Sequence, residues 1–122
     1  MSIQKVFISY SHDSAPHKEF VLNLATRMRN NGVDAILDQW ELKLGDDIPS
    51  FMEKNLENAD YILMICTDRY VQKANDGKGG VGYEKMIVTS FLMQSIDESK
   101  VIPIIRQNGT YNVPIFLKTK LF

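Results

Sequence analysis

Apolar residues along this chain alternate between two spacings. Val6-Phe7-Ile8 is a short continuous run that ends in the polar cluster Ser9-Tyr10-Ser11-His12-Asp13-Ser14. Phe20, Val21, Leu24, Ala25 and Met28 then recur at helical spacing, which predicts a helix with that stripe turned inward. Pro16 suits its first turn, Ser14 can cap it, and Asn31-Gly32 stops it. Residues 33–37 read as a second strand. After a polar loop, Asp46 or Asp47 can cap a second helix that carries Ile48, Phe51, Met52 and Leu56 inward. Residues 61–66 are apolar on both faces, the pattern of a central parallel strand. A long loop is expected from there to Tyr83, followed by a third helix bearing Met86, Ile87, Phe91 and Leu92 and then a fourth strand at 101–105. Strand and helix in alternation predict an α/β fold with a parallel sheet and right-handed crossovers. There is no internal repeat, linker or low-complexity stretch, so residues 1–122 are expected to form a single domain.

In open parallel sheets, ligands bind beyond the carboxyl ends of the strands. The segments 9–14, 38–47 and 67–83 converge there, and they hold the residues capable of chemistry. Composition narrows the field further. A chain of 122 residues can bury about two thirds of its extended surface, enough for one sheet with helices on its faces. Fourteen basic residues stand against fifteen acidic ones, a formal net charge of −1, and no like-charge run exceeds a pair such as Asp46-Asp47. Phosphate neutralisation of a nucleic acid is therefore not expected. The single cysteine, Cys66, cannot form an internal disulfide, which fits a reducing compartment. The start of the chain lacks a signal-peptide pattern, and the longest apolar stretch is too short to span a bilayer. A soluble, cytoplasmic protein with no membrane partner is the expectation.

Several motifs compete for the chemistry. Residues 77–82, Gly-Lys-Gly-Gly-Val-Gly, satisfy G-x-G-x-x-G literally. The dinucleotide fingerprint needs that loop directly after the first strand, and here it follows the third at a distance. A Walker loop is excluded because the Lys-Ser/Thr ending is missing. A surface loop is the plain alternative. Cys66 could pair with His12 or His17 as nucleophile and base, but a thiol ending so apolar a strand usually packs. The two histidines have no third ligand at metal spacing, so no metal is expected. Trp40, the only tryptophan, can anchor its polar loop or offer an aromatic face to a base, a nicotinamide ring or a partner. Asp38 can take a ribose hydroxyl, or form a turn or cap.

Glu84 is the sharpest candidate. It follows the glycine-rich segment Gly79-Gly80-Val81-Gly82-Tyr83 and is expected in the first turn of the third helix, where the dipole favours the ionised form. That placement suits stabilising a cation better than donating a proton. Glycosidic cleavage through an oxocarbenium-like transition state is one such task. Nicotinamide leaves as a neutral molecule, so its cleavage can proceed with one carboxylate. A residue that merely starts a helix is the plain alternative.

Three segments carry a resemblance: 6–12, Val-Phe-Ile-Ser-Tyr-Ser-His; 37–46, Leu-Asp-Gln-Trp-Glu-Leu-Lys-Leu-Gly-Asp; and 79–85, Gly-Gly-Val-Gly-Tyr-Glu-Lys. In their order and spacing the chain resembles the TIR-domain superfamily, and more narrowly its bacterial SEFIR-like branch. The resemblance implies a flavodoxin-like three-layer fold, with a central parallel sheet of four to five strands flanked by helices. The second segment would be the BB loop, the family's usual interaction loop.

Function divides within that family. Some members are homotypic interaction modules without chemistry. Others, often antiphage effectors, hydrolyse NAD+ to nicotinamide and ADP-ribose or a cyclic form, using a glutamate that Glu84 matches. The resemblance places Ser9, Tyr10, Asp38, Trp40, Lys43 and Tyr83 on the nucleotide-binding loops and Trp40, Leu42, Leu44 and Gly45 on the interaction loop. It implies NAD+ as substrate with no resident cofactor or metal, and self-association or pairing with other TIR/SEFIR domains. Several hydrolases carry an aromatic residue four positions before the glutamate, where this chain has Gly80. A fifth strand is expected to begin at Lys118, with the family's final helix lacking. Two alternatives stand beside the hydrolase: a non-catalytic interaction module, and a sensor that binds a nucleotide without cleaving it.

Overall fold

The apolar run 6–8 becomes the first strand in a computed structural model that describes residues 3–76, 87–94 and 96–117. In chain order the elements are β1 (Lys5–Ser9), α1 (Ala15–Asn30), β2 (Asp34–Ile36), α2 (Asp38–Glu41), α3 (Ile48–Asn58), β3 (Tyr61–Cys66), α4 (Asp68–Asp76), α5 (Ser90–Met93) and β4 (Val101–Ile105). Single 3₁₀ turns lie at Glu98–Lys100 and Ile115–Leu117.

The strands form one parallel sheet in the order β2-β1-β3-β4. Phe7 lies opposite Ile36 on one side and Ile62 on the other, and Met64 opposite Pro103. Because side chains alternate along a strand, each strand feeds two cores. Val6, Ile8, Leu63 and Ile65 pack with Val21 and Ala25 of α1. Phe7, Ile62, Met64 and Cys66 turn to the opposite face, against Met52 and Leu56 of α3 and Tyr70, Val71 and Ala74 of α4. The result is the α/β, flavodoxin-like layering expected of the sequence.

Helix boundaries follow local chemistry. Ser14 caps α1 by accepting the His17 N–H at 3.2 Å, and Asp47 caps α3 by accepting the Ser50 N–H at 3.4 Å. β2 is shorter than the expected 33–37. The Leu37 carbonyl is taken by the N–H groups of Trp40 and Glu41, which turns the chain into α2.

The third crossover departs from expectation. Part of the expected loop is α4, capped by Thr67, whose Oγ1 accepts the Tyr70 N–H at 3.1 Å. Conversely, Ile87-Val88-Thr89 is buried but not helical, and among the described residues of this segment the helix covers Ser90–Met93. Three β-branched residues in a row disfavour a helix. The Val88 N–H is also spent on the Tyr70 hydroxyl, at 3.2 Å. Glu84, Tyr83, Gly80 and the expected fifth strand at Lys118 lie outside the described residues.

Met52 is wholly buried against the sheet. Met52→Ala is expected to cost about 3 kcal/mol through lost burial and a cavity, read as a lower urea midpoint at an unchanged m-value.

Candidate functional site

The carboxyl ends of β1 and β2 meet at a buried carboxylate. Asp38, in the first turn of α2, is only 6% exposed, so its charge must be matched by hydrogen bonds. The Tyr10 hydroxyl donates to Oδ1 at 2.7 Å, and His12 Nε2 lies 3.0 Å from Oδ2. Gln39 Nε2 donates to the Tyr10 oxygen at 3.0 Å and to the Lys18 carbonyl at 3.2 Å, which ties α2 to α1. Burial, then the hydrogen bond to Asp38, pushes the Tyr10 phenol far above its ordinary range. It is a fixed donor and not an acid.

A second network joins β1 to the start of α4. Ser9 Oγ and the Tyr70 hydroxyl share a hydrogen bond of 2.7 Å, and Ser11 Oγ lies 3.2 Å from Thr67 Oγ1. Ser11 also donates to Asp13 Oδ1. Burial raises the Tyr70 phenol, and it pushes the Cys66 thiol up to about 12, which removes Cys66 as a nucleophile at neutral pH.

Strand order reverses between β1 and β3, and such a switch point opens a crevice where the two connections leave on opposite faces. A cleft of about 560 Å³ lies there, lined by loop residues after β1, β3 and β4. On its wall the guanidinium of Arg106 lies 3.2 Å from Nδ1 of buried His17 and 4.3 Å over the Phe20 ring. An arginine can only donate, so Nδ1 accepts and the imidazole proton sits on Nε2. Desolvation lowers the His17 pKa; Arg106 and His12 lower it further, and Asp13 opposes them.

The site residues expected from sequence fall into distinct settings. Ser9 and Tyr10 are in the interior with their hydroxyls engaged, so neither presents its side chain to solvent. Asp38 joins them there. Trp40 is half-buried on the α1 side, with Arg29 over its ring at 4.0 Å, the anchoring arrangement. Leu42 is half-buried against the core of the opposite face. Lys43, Leu44 and Gly45 are exposed, and Leu44 projects fully into solvent. There the Asp46 N–H bonds to the Lys43 carbonyl at 2.9 Å across a turn that needs the positive φ of Gly45, +90°. Tyr83 and Glu84 lie outside the described residues.

Sequence reasoning passed over Tyr70 and Arg106, and it weighed His12 and His17 only as a base or metal ligands, not in the structural parts they play. One signal was present: His17, Val21 and Ala25 follow at intervals of four, so His17 continues the buried stripe of α1. The partners of His12 and Arg106 come from other elements and leave no local mark. Among the described residues no group of three or more His, Cys, Asp or Glu is placed to hold a metal ion, and no helix is long and apolar enough to cross a membrane.

A family model described as TIR domain matches residues 6–121. The chain belongs to the TIR-domain family. A crystal structure of a prokaryotic SEFIR domain superposes with a TM-score of 0.84 at 43% identity, over 97% of this chain and 84% of that one. This TIR domain is also 36% identical, over 63 residues, to a 2′ cyclic ADP-D-ribose synthase of Bacteroides thetaiotaomicron. That match takes in 52% of this chain and spans 22% of the synthase's length.

Removing the Tyr10 hydroxyl leaves Asp38 Oδ1 without its donor. Tyr10→Phe is expected to lose about 1–3 kcal/mol in chemical denaturation with the fold retained. His17 sets a pH dependence. Its folded pKa lies below its ordinary 6.5, so the unfolded chain binds its proton first. The contribution is complete above about pH 6.5 and is lost as pH falls from there through the folded pKa. Melting temperatures between pH 7.5 and 5.5 are expected to fall more steeply for wild type than for His17→Gln.

Proposed function

We propose that this TIR domain acts in signalling or defence by self-associating and cleaving NAD+ to release nicotinamide, with Glu84 stabilising the cationic ribosyl carbon as the bond breaks. The N-glycosidic electron pair leaves on nicotinamide. Water then captures the ribosyl cation to give ADP-ribose, or a hydroxyl of the same molecule captures it to give a cyclic product. A carboxylate beside the reacting carbon supplies the electrostatic part of that catalysis.

The observation that carries this reading is the fixing of two loops beyond the sheet by one buried carboxylate. Asp38 with Tyr10 and His12 locks the loop after β1 to the start of the loop after β2. Pre-set loops at that edge are what a positioned substrate requires. Family membership and the likeness to a cyclic ADP-ribose synthase support the choice of NAD+. Among the described residues of the expected set, the side chains available for contact are Lys43 and the exposed part of Trp40; Ser9, Tyr10 and Asp38 serve by holding the loops in place.

One observation favours a second reading, a non-catalytic homotypic module. Leu44 stands wholly in solvent on a turn whose backbone is set by Gly45. An exposed leucine on a structured turn is a natural contact for a second copy. Both readings predict assembly, and only one predicts chemistry.

Nicotinamide release from NAD+ by concentrated protein is expected for wild type and lost by at least about a hundredfold in Glu84→Ala. Leu44→Asp is expected to abolish assembly in sedimentation velocity and to lower turnover with it. No release from demonstrably assembled wild type would sink the hydrolase and leave the interaction module.

A further inference from the structure

The cleft at the β1–β3 switch point has a chemistry of its own. Among the described residues the side chains that line it are of polar types, and His17 supplies their one ring. A cleft of about 560 Å³ has more room than a single small ion needs.

Its cationic centre is unusual in how it is held. An exposed arginine often rests against a carboxylate. Arg106 is positioned by neutral groups, the His17 ring nitrogen and the Phe20 face, and makes no ion pair among the described residues. Its direction is therefore fixed without a carboxylate occupying its donors, the condition for binding an oxyanion through a forked donor. His17 is 2% exposed, and its Nε2 has no hydrogen-bond partner among the described residues. Arg69 adds a second guanidinium to the lining.

Two carboxylates share the cleft. Asp13 receives the Ser11 hydroxyl on Oδ1, and Asp68 receives the Thr110 hydroxyl on Oδ1 at 3.3 Å. Each keeps a second oxygen for a ligand hydroxyl. Both repel anionic charge, so a ligand suits the cleft when its anion is confined to the arginines and its hydroxyls meet the carboxylates. The frame is also set in advance: Gln107 Nε2 donates to the carbonyls of Cys66 and Asn112, at 2.9 and 2.8 Å, fixing the loop that carries Arg106.

We propose that this cleft is a second ligand site, for a small phosphorylated sugar whose phosphoryl group sits on Arg106 and whose hydroxyls are read by Asp13. This site goes beyond NAD+ cleavage. Two sources of such a group are distinguishable: a free sugar monophosphate, which carries a compact dianion, and ADP-ribose, whose charge lies on a pyrophosphate between two riboses. The cleft favours the first.

The test is a titration of isotope-labelled protein, followed by backbone amide and arginine side-chain NMR, with ribose 5-phosphate, inorganic phosphate, ribose and ADP-ribose. Saturable shifts at Arg106 and the first turn of α1 are expected at millimolar ribose 5-phosphate, with phosphate about tenfold weaker and ribose silent. Arg106→Gln is expected to weaken binding about tenfold or more, and Arg106→Lys, which keeps the charge and loses the fork, by less. Asp13→Asn is expected to erase the preference for the sugar phosphate over phosphate. Absence of saturation, identical binding by a folded Arg106→Gln protein, or ADP-ribose as the tighter ligand at these residues would each overturn the assignment.

Discussion

A carboxylate placed inside a protein must be surrounded by donors or lose its charge, and in this TIR domain that requirement organises the edge of the sheet. Asp38 begins α2 one residue beyond the end of β2, and its two oxygens are met from the loop after β1 by Tyr10 and His12. Once those contacts exist, neighbouring groups have little freedom. Gln39 is drawn to Tyr10 and to the Lys18 carbonyl, and Trp40 settles under Arg29. Arg29 in turn donates to the Ala35 carbonyl at 3.1 Å and lies 4.0 Å from Glu41. One buried charge thus fixes the spacing of the two strands, the start of the loop between β2 and α3, and the seat of α1.

The other edge of the crevice is built from neutral hydroxyls. Ser9, Ser11, Thr67 and Tyr70 link the end of β1 to the cap of α4, and Tyr70 reaches on to the backbone at Val88. The floor beneath the loops is cross-linked by these hydrogen bonds, while the 43–46 turn is exposed. On the proposed function, the hydrogen-bonded floor would hold the small molecule and the projecting turn would meet a second protein. A domain that served as catalyst only when assembled would need both.

Much of the fold was legible because the sheet is buried on both faces. The β3 and β4 bounds match the runs 61–66 and 101–105, since an uninterrupted apolar stretch has few other places to go. α1 was legible from its stripe and its cap. α4 was not, because its inward residues are only Tyr70, Val71 and Ala74 among polar neighbours, and Thr67 was not read as a cap. The converse error at 87–89 came from treating apolar spacing as sufficient, when β-branching and the demand of Tyr70 for a donor decided the backbone. In the candidate site, the convergence of loops was visible from topology alone. The roles of Tyr10, Asp38 and His17 were not, since each is defined by a partner that is distant in sequence.

Cys66 closes β3 among the aromatic and aliphatic side chains of the α3–α4 face, and its thiol is held protonated by that burial. Alkylating agents attack thiolates, so reaction there waits until the packed layers separate. With no other cysteine in the chain, a single chemical label would count those openings without background from a surface thiol. The molecule carries an internal clock for its own unfolding, at the point where its central strand meets the crevice.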